Sequence, residues 1–579
     1  MQTLPYSADI HRAERRYLPA GFSVSGWDVL EPYLKELLDR PLTDKASLIQ
    51  WLEDQSELES AISEDACWRQ IRMTCDTQNK ALEESFNDFC LTIQPQIQPY
   101  ADQLNKKLIE SPLVQELDTD TFGTFLRNIR KSIELFRESN IPLQAELSVL
   151  QQQYGQITGA MTVEVNGQVY TLQQAAKFLE SPDRSIRESV YHKIQNRRLQ
   201  DKQPLDELFD TLLSLRQRVA QQAGFDSYVD YRFKELGRFD YGVSACEDFH
   251  EAVKTHVLPL VASIYKKKQQ QLGLDSLRPW DLEAEPDGIK PLHPFTTGED
   301  LLEKSIQCLN ALDPFFGDCL KKMRTLGHLD LESRTGKAPG GYNCPLAESG
   351  APFIFMNAAG QMHDVTTMVH EAGHAVHSFL AHPLRLNGFK EYPMEIAEVA
   401  SMSMELFSMT HWDTFFDNPA DLKRAKLHQL ERVITIFPWI AIIDKFQHWL
   451  YTHAGHTPAE RTAAWASILQ EFQEGIIDYT GLDAYRNNAW QRQLHLFEVP
   501  FYYIEYGIAQ LGAIGMWMQY KQDPVQALTR YCTALQAGGM KTLPELYETA
   551  GLSFDLSPER MKTLMAFVQA ELDAVEASC

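Results

Sequence analysis

The chain has 579 residues, 44% hydrophobic and 23% charged, a composition of folded globular proteins that excludes disordered and fibrous classes. That length exceeds what one core usually organises, so two or three lobes are expected. The formal charge is −25, from 54 Lys and Arg against 79 Asp and Glu, and no basic run is dense enough to grip phosphates, which excludes nucleic acid as a partner.

In chain order, Met1 to Pro19 hold no apolar stretch of signal-peptide length. The first lobe reads as successive amphipathic helices, with Trp27 to Leu38 and Phe122 to Phe136 as examples, and the prolines of Gln94 to Pro99 are expected to interrupt the series. Val163 to Tyr170 alternates around Asn166-Gly167 and predicts a β-hairpin, after which Thr171 starts a helix. A division near Pro182 is expected, giving a helical N-terminal lobe over 1–181 and a second domain over 182–579. Leu331 to Gly360 is rich in Gly and Pro and reads as a loop leading into a strand at Phe353-Ile354-Phe355-Met356. Helix starts are marked at Asn418-Pro419, Thr457 and Thr542. The apolar run Val433 to Ile443 is too short to cross a bilayer, so no membrane partner is expected. Nine scattered cysteines, odd in number and without a CxxC, read as free thiols of a cytoplasmic protein.

The central motif is His370-Glu371-Ala372-Gly373-His374. Two histidines at i and i+4 on one helix face can reach one zinc ion, and Glu371 beside them can reach a water on the same metal. Val365, Met368, Val369, Ala372, Val376, Phe379 and Leu380 give this helix an apolar side. A catalytic zinc needs a third protein ligand. Leu380 stands where the three-histidine variant of the motif would need a histidine, and His377 reads as a core or supporting residue. Glu391, Glu395, Glu398 and Glu405 are the candidates; Glu398 and Glu405 share a helix face, one for the metal and one to orient a histidine, but spacing alone does not choose Glu398 over Glu395.

These blocks resemble the thimet oligopeptidase and oligoendopeptidase F family of zinc peptidases, the oligoendopeptidase F branch above all. The matching segments are Leu277 to Leu282, Gly336 to Tyr342, Ala351 to Asn357, Asp364 to His377, Glu398 to Met402 and His495 to Tyr506. The resemblance implies a mostly α, bilobed ellipsoid with a small β-sheet beside a deep substrate channel. It implies one zinc per chain, held by His370, His374 and Glu398. It also implies that His495, Tyr503 and Tyr506 face the metal and stabilise the transition state, for which phenol and imidazole donors are chemically suited. An extended peptide would pair with a strand edge, for which Phe353 to Asn357 is the expected edge and Gly340-Gly341-Tyr342 the expected loop over the substrate. Phe353, Phe355, Asn357 and Tyr502 complete the candidate substrate contacts.

The expected activity is hydrolysis of internal bonds in short unstructured oligopeptides, with Glu371 as general base on a zinc-bound water. No GxSxG nucleophile motif competes. Two alternatives stand beside it: a dipeptidyl carboxypeptidase, which needs a cation for the substrate carboxylate that the sequence does not identify, and a non-catalytic peptide-binding protein with a structural zinc.

Overall fold

Helix dominates the structure, as the 3.6-residue spacing of apolar side chains requires. The computed structural model describes every residue except Met1, Gln2, His11, Ala13, Asp287, Glu474 and Cys579. Helices at Trp27–Asp39 and Thr119–Leu135 occupy the expected places. Between them a long helix α1, Lys45–Cys75, starts at a capping box of Asp44 and Ser47 and buries Trp51, Leu58 and Ile71.

The prolines after Gln94 do not break the series. A wide turn at Phe89–Ile93 precedes helix Gln94–Glu110, and the Gln94 N–H returns to the Phe89 carbonyl, five residues back. Pro95 then falls in the first helical turn, where a missing N–H costs nothing, and Pro99 is carried inside the helix.

The hairpin forms from β1, Thr162–Val165, and β2, Gln168–Thr171, with Asn166 and Gly167 at φ 53° and 78°, the left-handed pair that a two-residue turn requires. Thr171 caps the next helix.

A second sheet contains β3, Leu329–Glu332, β4, Tyr342–Cys344, and β5, Phe353–Ala358, in the order β3-β5-β4. This corrects the expected strand edge. Phe353, Ile354 and Phe355 are paired on one side with Cys344, Asn343 and Tyr342, and β5 also pairs with β3 through Ile354 and Phe355. The strand is therefore central, and its fully apolar run reflects burial on both faces. The edges of the sheet are β3 and β4, and β4 follows the glycine loop. Lys337 fixes that approach from below: its buried Nζ donates to the Asp330 and Glu332 carbonyls, 3.0 Å each, and to Asp330 Oδ1 at 2.9 Å.

One apolar core gathers Trp51, Leu104 and Phe122 with Leu386 and Phe389. A larger one takes in Ala8 and runs from Leu135 to Leu572. A small third core, with Ile71, Phe353 and Phe355, joins α1 to the sheet.

After the sheet come α2, Met362–Ala381, α3, Met394–Ser408, α4, Pro419–Thr452, α5, Leu494–Glu498, and α6, Tyr503–Gln522. Asn418, Thr457 and Thr542 sit at the helix starts expected of them. Among the described residues, no cysteine is in a disulfide and no helix is long and apolar enough to cross a membrane. Cys579 lies outside those residues.

Candidate active site

Gly373 decides how close α2 and α3 come. A Cβ there would lie 2.6 Å from Ser401 Cα and 2.7 Å from the Ala400 carbonyl oxygen, inside any real contact distance. The absent side chain lets α3 press against the histidine face of α2. Glu398, on that contact, points its Oε2 between the two imidazoles, 3.3 Å from His370 Nε2 and 3.6 Å from His374 Nε2. Nitrogen and oxygen ligands bound about 2.0–2.1 Å from a tetrahedral ion stand roughly 3.3 Å apart, so these spacings suit one zinc. Glu395 goes elsewhere; its Oε1 accepts from Tyr241 Oη at 2.6 Å. Glu391 lies in the loop before α3.

A second layer fixes the ligands. His370 Nδ1 donates to Glu405 Oε1 at 2.7 Å, which turns its Nε2 lone pair toward Glu398. Gln429 Nε2 on α4 donates to the other Glu405 oxygen at 2.8 Å, and its Oε1 accepts from Thr366 Oγ1 at 3.2 Å.

The charges are arranged for a cation. Burial works against the Glu398 carboxylate, but His374 and His370 overcome it and hold its pKa down to about 2. Burial lowers His374 to about 4, the neutral form that a metal ligand must have. Burial also opposes charge on His370, yet its hydrogen bonds to Glu398 and Glu405 raise it well above the usual value. A dication held by these groups would favour their unprotonated forms. Glu371 is buried with its Oε2 unpartnered among the described residues, and burial pushes its pKa up to about 7. A carboxyl without a partner beside a ligand set is a base in search of a proton.

The facing wall is the Leu494–Tyr506 segment. Phe501 holds φ 65°, an uncommon conformation for a bulky residue, and is fully buried. It is pinned on both sides, since its N–H donates to Gln447 Oε1 and its carbonyl accepts from Arg238. This bend projects Tyr502 and then starts α6. Tyr502 Oη donates to Glu398 Oε1. His495 Nε2 lies 3.1 Å from Tyr506 Oη and its Nδ1 lies 2.7 Å from Gln493 Nε2.

The proton positions in that chain follow from Trp439. Its indole N–H can only donate, and it does so to Gln493 Oε1 at 2.9 Å. The amide nitrogen of Gln493 therefore faces His495 and donates to Nδ1. His495, kept neutral by burial that lowers it to about 4, then carries its proton on Nε2 and donates to the Tyr506 oxygen. The Tyr506 O–H is left free to point into the cavity.

That cavity has a volume of about 490 Å³. His370, Glu371, His495, Tyr503 and Tyr506 line it, with Gly340, Gly341 and Asn357 across from them. A Cβ on Gly341 would stand 3.6 Å from Glu371 Oε1, so the glycine loop runs directly past the base. Asn357 Nδ2 holds that loop through the Ala338 and Gly340 carbonyls at 2.9 and 2.8 Å.

The other expected contacts do not face the cavity. Phe353 and Phe355 are buried in the small third core. Tyr342 stacks on Phe355 at 4.7 Å, with its hydroxyl 2.6 Å from Thr74 Oγ1. His377 is buried and stacks on Tyr392 at 3.6 Å, as a core residue does. Sequence reasoning missed Gln429, Gln493 and Trp439, whose roles depend on which helix they meet. It also missed Arg432, which lines the cavity with its Nη1 2.6 Å from His363 Nδ1.

Comparison with known proteins agrees with this architecture. Oligopeptidase PepF of Bacillus subtilis is 23% identical over 413 residues, 69% of this chain, and the match spans only 58% of that relative's length. An oligoendopeptidase F homolog of Borreliella burgdorferi is 21% identical over 434 residues, 71% of this chain and 70% of the relative. A solved structure described as an oligoendopeptidase F superposes with a TM-score of 0.90 at 26% identity, covering 97% of this chain and 99% of that one. PZ peptidase A with an inhibitor superposes with a TM-score of 0.91 at 24% identity, over 96% and 99%, a likeness of fold. The Peptidase M3 N-terminal domain model matches residues 22–136, and the Peptidase family M3 model matches 177–565. With more than half of its length matched by that second model, this chain belongs to peptidase family M3.

Proposed function

We propose that the chain is a zinc-dependent endopeptidase of short, unstructured oligopeptides, acting in the cytoplasm, with one catalytic zinc per chain. The observation that carries this reading is the buried Glu371, its Oε2 unpartnered among the described residues, beside the His370, His374 and Glu398 cluster, with Glu371 and His370 opening on the cavity. The catalytic residues lie in 182–579, and residues 1–181 form the helical lobe against it.

A zinc held by His370, His374 and Glu398 would supply Lewis acidity, lowering the pKa of water and polarising the scissile carbonyl. Glu371 takes the proton of the attacking water and passes it to the leaving amine. The free O–H of Tyr506, oriented through His495, donates to the oxyanion as it develops, and Tyr503 lines the same wall. Gly340 and Gly341 let the substrate backbone come close to Glu371, with the β4 edge available for pairing. The Tyr502 hydrogen bond to Glu398 fixes the carboxylate and makes Tyr502 part of the ligand support.

A second reading has one observation in its favour. Arg432 supplies, within the cavity, a cation able to hold a substrate's terminal carboxylate. The test is hydrolysis of an internally quenched peptide by the full chain. Cleavage that is lost with chelator, restored by zinc, lost in Glu398→Ala and kept in Glu395→Ala supports the endopeptidase. Cleavage that stops when the peptide carries a C-terminal amide favours the exopeptidase. No metal-dependent cleavage of either peptide defeats both.

A further inference from the structure

A second cluster of ligand atoms lies outside the cavity. Helix Val243–Ala252 presents Cys246 and His250, one turn apart, and α4 presents Asp444 and His448, again one turn apart. One ligand atom each from Cys246, Asp444 and His448 lies within 4.8 Å of the other two. Asp444 Oδ2 and His448 Nε2 are 3.4 Å apart, close to the edge of a tetrahedral zinc site, roughly 3.3 Å.

The cluster has unmet bonding capacity. Cys246 and His250 are buried, and Asp444 is 0% exposed. His250 Nε2 donates to Asp444 Oδ2 at 2.9 Å, but Asp444 Oδ1 and His448 Nε2 have no hydrogen-bond partner among the described residues. A wholly buried carboxylate oxygen left in this state has lost its water without a replacement partner, which is unfavourable, more so if charged. A dication resolves it, since one thiolate, one carboxylate and two neutral imidazoles around M²⁺ sum to zero charge.

We propose that Cys246, Asp444 and His448 hold a second divalent metal ion of the zinc class, with His250 fixing the Asp444 carboxylate. Thiolate with imidazole selects zinc over magnesium or calcium, which take oxygen ligands. Cys246 and Asp444 are buried and His448 is half-buried, and the function of the site is to brace the facing wall. His448 packs its ring 5.1 Å from Phe501, and the neighbouring Gln447 accepts the Phe501 N–H. Phe501 is the left-handed residue that projects Tyr502 and starts the Tyr506 helix. Cross-linking the two helices beneath it would hold that bend.

The test uses the full chain purified without chelator. Wild type is expected to carry two dications, and Glu398→Ala, Cys246→Ser and His448→Gln one each. Exchange into cobalt separates the sites spectroscopically, because His370, His374 and Glu398 include no thiolate. A near-ultraviolet thiolate-to-cobalt band is expected in wild type and in Glu398→Ala, and absent in Cys246→Ser. One dication in wild type, lost in Glu398→Ala, with no cobalt–thiolate band, overturns the proposal and leaves the catalytic reading standing. The wild-type stoichiometry decides the matter even if a variant fails to fold.

Discussion

The two walls of the cavity are built on different principles. The α2–α3 wall is regular helix pressed against regular helix, and its ligands meet because residue spacing and Gly373 leave no other arrangement. The wall from Gln493 to Tyr506 is irregular. It consists of a five-residue helix, a left-handed Phe501 and a proton chain from Trp439 through Gln493 and His495 to Tyr506. The first wall resists change in shape, and the second transmits change in proton position. Substitutions at the helix contact or the ligands of the first should therefore destroy the site outright, and those on the second should lower turnover while the metal stays.

Gly373→Ala should have the largest effect. The new methyl meets backbone, which cannot swing aside, so a loss of about 3 kcal/mol of stability is expected with loss of both metal and activity. Calorimetry and metal content check this; a normally melting, metal-loaded variant would mean the helices do not depend on that contact.

On the facing wall, Tyr506→Phe removes one donor to the oxyanion. Turnover should fall by ~10²–10³ with KM, metal content and melting temperature little changed. Unchanged kcat with a raised KM would make this wall a binding surface only.

Gln493→Glu probes the chain one step further back. A carboxylate accepts from both Trp439 and His495, so the His495 proton moves to Nδ1 and Nε2 becomes an acceptor. The Tyr506 hydroxyl then turns toward His495 and away from the cavity. The expected cost is a fall of roughly 10²-fold in kcat, at most that of Tyr506→Phe, and the double variant should be no worse than Tyr506→Phe. Additive losses would separate the two residues.

The smallest effect is in pH. Burial raises Glu371, so its protonated form persists above the ordinary carboxylate range, and only the ionised form can act as base. The kcat/KM profile should therefore fall as pH drops, with a limb between about 4.3, the unperturbed value, and about 7. A cation at the ligands moves the limb toward the lower end. A profile flat from about pH 4 to 8 would exclude Glu371 as the titrating base.

The difference between the walls also decides what could be read in the sequence. His370 and His374 declare themselves by spacing, and Glu405 falls where a helix must place it. The choice of Glu398 over Glu395 needed the family resemblance, because one turn of helix offers both, and only the close approach at Gly373 sends one carboxylate to the imidazoles and the other to Tyr241. The apolar run of β5 was legible as a strand. Its central position was not, since β4 is three residues long and carries no alternating pattern. Gln493 and Trp439 are ordinary residues on separate elements, joined by a single hydrogen bond that no periodicity encodes. Arg432 and the Asp444–His448 pair are hidden for a related reason: α4 is buried or half-buried around most of its length, so no face of its sequence stands apart.

The central claim is that Glu371 is the proton carrier beside a metal held by His370, His374 and Glu398. Glu371→Gln keeps the shape of that side chain and removes its basicity. The decisive measurement is single-turnover hydrolysis of a quenched peptide by this variant, with metal content and peptide affinity determined on the same sample. Full metal content, near-wild-type affinity and a rate reduced by ~10²–10⁴ are predicted. Near-normal hydrolysis at neutral pH would contradict the account.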